Sequence, residues 1–443
     1  MTISTDERRV GAANPGRVSS SLGEALRLRV FPRYRVIVFP VLSLLLATAV
    51  VAQQADTVVR MAGPPQHAGV ATLVEELSIG VVDGAEQYIF GSVFDIAVAG
   101  DGAVYVLDRS IPAIRKYDAA GRYVRTIARG GQGPGEIGGP AGMRVLRDGR
   151  LALYDSGNRR INVYTADGER LTEWLLPGSA ASIGHREGFE ADTAGNVYAK
   201  RTMISEVPGA RPAPVSVWLR LRANDGAIVD TIREPSWPPY PEPFRATNER
   251  GWRQMGMPFT PRRLLVISPH GHAVSGLPER YAFELLMAGR PVVSVRRDLA
   301  PEPVSGSARE EQRTQIETRM REVDPLWTWG GRDLPRVKPF YVDLEVDADG
   351  RIWLTRERTD APRAPAQANA GRSGGGVSST IAPEDYVPAP TVYDVFAPAG
   401  AFIGTVEAPP GVTLFVMRGD RAWGVARDEL DVEFVKRYRI AWR

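Results

Sequence analysis

Three charged residues stand at the same distance from a turn glycine. Their side chains can bind a polar ligand or form ion pairs with one another. Arg144, Glu190 and Glu345 each precede such a glycine by five positions. The same offset in two other repeats holds Ala97 and Val266. A guanidinium and carboxylates that face water can hold a polar ligand, whereas the same groups facing one another form a structural ion-pair cluster. The sequence leaves both interpretations open.

The four histidines are the next residues with possible chemistry. They are His67, His185, His270 and His272. Zinc sites need ligands that converge and a second set of groups that orients them. His270 and His272 flank a glycine in a turn. In a meander of antiparallel strands, that turn lies at the opposite rim from His185. We therefore expect ordinary turn histidines, and the lack of cysteine excludes thiolate sites.

A repeated strand pattern must position these residues. The stretch Gly142–Arg170 contains short apolar strands separated by Asp-Gly pairs, which are strong hairpin signals. The earlier stretch Phe94–Tyr123 follows the same plan. Its turn glycines stand 47 residues before the turn glycines of Gly142–Arg170. A fixed period of this size indicates a propeller or a solenoid.

Extending the plan along the chain predicts an all-β fold, a six-bladed β-propeller of four-stranded antiparallel blades. The last blade has only three strands before Arg443, and Leu73–Ile79 supplies the fourth, so that both ends of the chain join one sheet. Such closure removes open sheet edges. The predicted parts are a leader or anchor (1–52), a linker (53–72) and the propeller (73–443), which carries insertions at 235–261, 301–339 and 360–390.

One motif carries a family resemblance. In Asp155–Tyr164, DSGNRRINVY, an Asp ends the second strand and an Asn-x-Arg-Ile run follows, which resembles the NHL repeat. The linker Gly130–Ile137, GGQGPGEI, is similar to the linkers of exported bacterial six-bladed propellers of that type. The match is good over Phe94–Leu175 and degenerate elsewhere. The resemblance implies a propeller with an interaction role, and NHL repeats share no single chemistry.

The resemblance also implies an enzymatic alternative. Some related propellers are metal-dependent hydrolases or lactonases, in which acidic residues and Asn surround a central divalent cation. Asp95 and Asp343 occupy the glycine position of the NHL strand and can serve there together with Glu190. The sequence contains no recognisable full ligand set, so a binding module is favoured and the cofactor stays unidentified.

The first 52 residues differ from the rest of the chain. Arg27, Arg29, Arg33 and Arg35 directly precede the apolar run Val36–Val51, and the small Ala52 follows it. This pattern is typical of a secretory signal peptide, with cleavage near Ala52. The alternative is an uncleaved membrane anchor at 36–51, and both imply an exported protein, periplasmic or extracellular.

Charge narrows the class of partner. The sequence has 55 basic and 52 acidic residues, of which the leader carries seven basic and three acidic ones. The remainder therefore has 48 basic and 49 acidic residues. A near-neutral domain lacks the electrostatic footprint of nucleic-acid binding. We expect a protein, a glycan or another small molecule as the ligand, and no nucleic acid.

Strand parity predicts where binding occurs. In an antiparallel four-stranded blade, the turns after the first and third strands share one rim, and all other connections share the opposite rim. Every predicted turn at the first rim is brief, and every long segment falls on the second. We call these rims the short-turn face and the long-loop face. The candidate contacts on the long-loop face are Trp237, Tyr240, Trp252, Trp327 and Trp329, with Asp95, His185 and Asp343 at the channel mouth and Arg144, Glu190 and Glu345 deeper.

Overall fold

A computed structural model describes residues 57–180, 188–205, 212–235, 237, 239–356 and 391–443. The leader at 1–52, its apolar run and the predicted insertion at 360–390 lie outside these ranges. All of the described residues belong to one compact unit. The described part is almost entirely β-structure, with one α-helix, α1 (Gly306–Arg321). None of its helices has the length and apolar character needed to cross a membrane.

The amino-terminal half contains two early strands and three sheets. The early strands are β1 (Thr57–Met61) and β2 (Val70–Ile79). The first sheet holds β3 (Val93–Val98), β4 (Val104–Asp108), β5 (Ala113–Tyr117) and β6 (Tyr123–Ala128), and the second β7 (Pro140–Val145), β8 (Leu151–Asp155), β9 (Arg160–Tyr164) and β10 (Arg170–Leu175). The third holds β11 (Ser179–Ala180), β12 (Phe189–Ala191), β13 (Asn196–Ser205), β14 (Ala213–Arg222) and β15 (Ile228–Arg233).

The carboxyl-terminal half continues the plan after a separate hairpin, β16 (Phe244–Asn248) and β17 (Gly251–Met255). The next meander holds β18 (Leu264–Ile267), β19 (Ala273–Leu277), β20 (Ala282–Leu286) and β21 (Val292–Arg296). The following one holds β22 (Asp343–Val346), β23 (Ile352–Arg356), β24 (Val392–Phe396) and β25 (Phe402–Glu407). The last strands are β26 (Val412–Arg418), β27 (Arg421–Arg427) and β28 (Glu433–Ala441).

Local sequence explains the short turns between strands. Gly102 and Gly149 have φ angles of 88° and 85°, a left-handed conformation that glycine adopts without steric cost. Asp148 reinforces its turn, because its carboxylate accepts a hydrogen bond from the Arg150 N–H at 3.2 Å. Turns of this kind reverse the chain in few residues and keep successive strands in register.

The amino-terminal strand β2 pairs with the carboxyl-terminal strand β28, as the sequence predicts. Leu73 lies opposite Ile440 and Ile79 opposite Val435 in an antiparallel ladder. From β2 the order continues through β28 and β27 to β26, and on its other side β2 pairs with β25, so that one hydrogen-bonded sheet of eight strands has two four-stranded halves. The second strand and the last strand of the described chain therefore belong to one sheet.

Two expectations about the amino-terminal segment do not hold. The predicted linker at 53–72 contains β1, which pairs in parallel with β21, and the start of β2, which pairs in parallel with β25. The pairing is therefore not antiparallel throughout. The physical reason is that this segment crosses the outer edges of two sheets before it reaches β28, and each edge offers unpaired N–H and C=O groups.

Apolar clusters fill each seam between consecutive sheets and also the seam between the last sheet and the first. At the closing seam, Phe415 and Trp423 pack in one cluster with Ile96 and Val106. Sheets that pack face to face in a closed ring form a β-propeller. This packing buries the apolar side chains of nearly every inner strand.

The NHL-like motif holds the linker that enters its own sheet. The buried carboxylate of Asp155 accepts hydrogen bonds from the Gly139 N–H at 2.8 Å and from Asn158 Nδ2 at 2.7 Å. Arg160 Nη2 donates to the carbonyls of Gly133 and Glu136 at 2.5 and 3.1 Å. The glycine-rich linker is thus a structural segment held by side chains of β8 and β9.

The docking of β2 provides a direct test of ring closure. Ile79 is 2% exposed and Val74, on the same strand, is 41% exposed. We expect Ile79→Ala to lower the free energy of unfolding by about 2–4 kcal/mol, because it leaves a cavity in the closing seam, and Val74→Ala to change it by less than about 0.5 kcal/mol. Urea unfolding followed by tryptophan fluorescence measures both. Equal, small losses would show that β2 does not contribute to closure.

Candidate functional site

The first strands of the successive sheets line a central cavity of about 410 Å³. These strands are β3, β7, β12, β18, β22 and β26. Each begins at the long-loop face and ends at a short turn, so positions at equal distance from the turn form one layer. The strand order therefore decides which side chains share the cavity wall.

The structure brings together the layer that the sequence places in register. Ala97, Arg144, Glu190, Val266 and Glu345 all line the cavity. Because each residue stands five positions before its turn glycine, the alternation of side chains along the strands points them to the same side. Charge is thus introduced at three positions of an otherwise apolar layer.

Arg144 is the centre of this charge cluster. Its Nε and Nη2 donate to the two carboxylate oxygens of Glu190, both at 3.0 Å, in a bidentate pair. Its Nη1 donates to Asp95 Oδ2 at 3.2 Å and to the Met143 carbonyl at 2.8 Å. One guanidinium therefore bridges β3, β7 and β12 through charge-assisted hydrogen bonds.

The Asp95 carboxylate is buried and is held in place by backbone hydrogen bonds. It is 1% exposed, and it accepts hydrogen bonds from the Ile96 N–H at 2.9 Å and the Met143 N–H at 2.8 Å. Asp343 shares one of these features, because its Oδ1 accepts from the Leu344 N–H at 2.9 Å. Asp343 is partly exposed and lines the cavity. Asp95 thus links two sheets, and Asp343 lies at the cavity surface.

The electrostatic balance keeps Arg144 charged. Burial by itself lowers the pKa of Arg144, but Glu190, Asp95 and Glu345 outweigh that effect and hold this pKa above its usual value. The carboxylates of Asp95 and Glu190 consequently face a permanent cation. A ligand that enters this layer meets a paired cluster and not a free acid.

This arrangement fits a metal centre poorly. Among the described residues, no three His, Asp or Glu side chains come together as a cation site. Two of the three carboxylates that the sequence offered for a divalent cation, Asp95 and Glu190, converge on the guanidinium of Arg144. A cation would have to displace the Arg144 guanidinium, which already supplies the positive charge between Asp95 on β3 and Glu190 on β12.

The histidines do not converge either. The His67 ring stacks on Trp442 with a centroid distance of 4.6 Å, at the outer edge of the ring of sheets. His270 and His272 lie in the turn between β18 and β19, with centroids 6.4 Å apart. Burial and then the neighbouring His270 lower the pKa of His272. His185 lies outside the described residues.

The aromatic residues of the long segments fall into two groups. Trp327 and Trp329 pack on Phe244, with centroid distances of 6.2 and 4.5 Å, in an apolar core that β16 shares with α1. Trp329 is buried, and Trp327 Nε1 donates to the Arg245 carbonyl at 2.9 Å. These two tryptophans hold the insertions together, and their role as binding contacts stays a prediction.

The other three aromatic residues are more accessible. Trp252 is 58% exposed and Tyr240 is 53% exposed. Trp237 packs partly against the seam between the third sheet and the next. The guanidinium of Arg263 lies 5.8 Å from the Trp237 ring and 5.1 Å from the Tyr240 ring, within cation–π range. The accessible aromatic surface of the insertions is therefore formed mainly by Trp252 and Tyr240.

Sequence reasoning missed two arginines at the other end of the cavity. Arg147 stands two positions before its turn glycine, and Arg418 immediately precedes Gly419. Both line the cavity. Extending the register comparison from the fifth position before the glycine to the second would have revealed Arg147. Arg418 gives no such signal, because β26 contains an irregularity between Leu414 and Val416.

No protein-family model matches the chain, and no curated protein matches it. Solved structures resemble it remotely. A DUF4221-family member from Bacteroides vulgatus is 10% identical, with a TM-score of 0.48 over 86% of this chain and 100% of that one. A gluconolactonase from Xanthomonas campestris is 12% identical, with a TM-score of 0.38 over 86% of this chain and 99% of that one. Virginiamycin B lyase from Staphylococcus aureus is 12% identical, with a TM-score of 0.36 over 78% of this chain and 94% of that one. The fold assignment rests on strand pairing and sheet packing.

A double-mutant cycle tests whether the Arg144–Glu190 pair holds the cluster together. We expect Arg144→Gln, Glu190→Gln and the double variant to give a coupling energy on the order of 1–2 kcal/mol, because the pair is bidentate and mostly buried. The exposed pair Arg222–Asp225 is the matched control, with an expected coupling below about 0.5 kcal/mol. Urea unfolding provides the free energies. Similar coupling in both cycles would contradict a special role for the pair.

Proposed function

We propose that this protein is an exported, six-bladed propeller of the NHL type that acts as a binding module through its long-loop face. In this proposal the leader at 1–52 directs export, and residues 73–443 form the ring. The ligand is a protein, a glycan or another small molecule, and nucleic acid is disfavoured by the near-neutral charge. Six first strands around one cavity support the number of blades.

One observation carries the proposal: two long insertions build an ordered unit with its own core. Phe244 of β16 packs in that core with Ile316 and Met320 of α1 and with Trp329. Asn248 Nδ2 also donates to the Val323 carbonyl at 2.7 Å. A segment that served only as a spacer would not need a core of this kind.

The surface of this unit has the composition of a recognition site. Trp252 is largely exposed, and the guanidinium of Arg245 lies 5.8 Å from its ring. Exposed Trp, Tyr and Arg residues are enriched among the residues that contribute most to binding interfaces. Tyr240 and Arg263 add a second aromatic and cationic pair.

We do not propose metal-dependent catalysis. The hydrolase alternative needs carboxylates that are available to a cation, and Asp95 and Glu190 are engaged by Arg144. The charge cluster therefore serves the ring and the cavity wall. Metal analysis of the purified protein tests this part, and a stoichiometric bound cation would restore the hydrolase alternative.

Site-specific crosslinking tests the binding surface. We expect a photoreactive p-benzoylphenylalanine at position 252 to form specific adducts when the protein is expressed in its native host, because Trp252 is exposed on the inserted unit. Mass spectrometry of the adducts then identifies the partner.

The matched control places the same group at Asp225, which is exposed in the turn between β14 and β15 on the short-turn face. We expect no comparable adducts there. Adducts only from position 225, or from neither position, would overturn the proposed long-loop face. A melting temperature equal to that of the unmodified protein confirms that each variant is folded.

A further inference from the structure

The central cavity reaches solvent at the short-turn face. Six residues that precede the first turns of successive sheets form its rim on that side: Gly100, Arg147, Thr193, Pro269, Ala348 and Arg418. Gly100, Arg147, Thr193 and Ala348 are exposed. The paired cluster of Arg144 and Glu190 lies deeper in the same cavity. The cavity is therefore a pocket with a mouth on this face and a charged layer inside.

Outside the charged cluster, the walls of the cavity are largely apolar. Val145, Val266, Val346 and Val416 come from four different first strands, line the cavity and are partly exposed. Water against these side chains is displaced favourably by an apolar ligand. The volume of about 410 Å³ lies in the range of roughly 300–1,000 Å³ that small-molecule pockets occupy.

Two cations stand at the mouth without an acidic partner. Arg147 Nη1 donates to the Thr193 carbonyl at 3.1 Å, across one seam. Arg418 donates from Nη1 to the Ala99 carbonyl and from Nη2 to the Val98 carbonyl, both at 3.1 Å, across another. In the described chain, neither arginine forms an ion pair. Each guanidinium has five N–H donors, so both keep donors beyond these bonds.

Nearby carboxylates are already engaged in their own turns. Asp192 accepts from the Asn196 N–H and the Tyr198 hydroxyl, both at 2.8 Å. Asp347 accepts from the Arg351 N–H and from Trp353 Nε1, also at 2.8 Å. The exposed Asp148 and Asp349 pair with Arg150 and Arg351. These four carboxylates therefore do not neutralise the charges of Arg147 and Arg418.

We propose that this pocket binds an amphiphilic organic anion, with its apolar body against the valine walls and its acidic group at the mouth beside Arg147 and Arg418. This site is separate from the long-loop face and does not depend on a partner bound there. A carboxylate or sulfonate forms charge-assisted hydrogen bonds with guanidinium groups, and an apolar chain fits the walls. A neutral or cationic amphiphile of equal length lacks the first of these interactions.

Fluorescence titration with 1-anilinonaphthalene-8-sulfonate tests the pocket, followed by displacement with decanoate, decanol and decyltrimethylammonium. We expect saturable dye binding, and displacement by decanoate at concentrations at least about tenfold lower than by the other two. In Arg147→Gln/Arg418→Gln we expect the decanoate affinity to fall about tenfold or more, with decanol unchanged. Val266→Trp should fill the pocket and abolish dye binding.

The control variant is Arg122→Gln/Arg222→Gln, which removes two exposed arginines from other short turns of the same face. Equal losses in the two double variants, no dye binding by the wild type, or full dye binding by folded Val266→Trp would each overturn the proposal. If the first double variant does not fold, Arg147→Gln alone replaces it, and an unchanged decanoate affinity would count against the proposal. Trp252→Ala should leave decanoate affinity unchanged, which separates this test from that of the long-loop face.

Discussion

The pairing of β2 with β28 is the contact on which the rest of the structure depends. It places an amino-terminal strand and the carboxyl-terminal strand in one sheet, and that sheet packs on the first through Phe415, Trp423 and Ile96. A linear array of the same sheets would expose these apolar faces at both ends. Because the ring is closed, the first strands surround a cavity of defined volume, and Arg144 can reach partners on two neighbouring strands.

The closed ring also separates two faces with different physical tasks. On the short-turn face, Asp-Gly turns reverse the chain in few residues with left-handed glycines. The long-loop face receives the insertions, which can grow because they do not interrupt the ladders of the sheets. One of them folds against α1 into a unit with its own core. A rigid scaffold that holds such segments is the usual setting for recognition.

The charge cluster shows how one buried cation can decide the character of a cavity. Arg144 neutralises Asp95 and Glu190 and ties β3, β7 and β12 together. Removing one member of such a cluster leaves a buried charge without compensation, which is more costly than the pair is worth. The same guanidinium occupies the carboxylates that a divalent cation would use. Stability of the ring and the engagement of the Asp95 and Glu190 carboxylates therefore have one cause.

The sequence by itself determined the strands of the repeats, their short turns and the layer that includes Arg144, Glu190 and Glu345, but not β1 or the hairpin of β16 and β17. These features depend on residues a few positions apart: a glycine sets its turn, and the alternation of side chains follows from it. Only the tertiary structure decided that β1 pairs in parallel with β21, that Trp329 is buried while Trp252 is exposed, and that Arg147 and Arg418 share one mouth. Burial and ion pairing depend on which distant segments meet in space, and no local pattern in the chain records that.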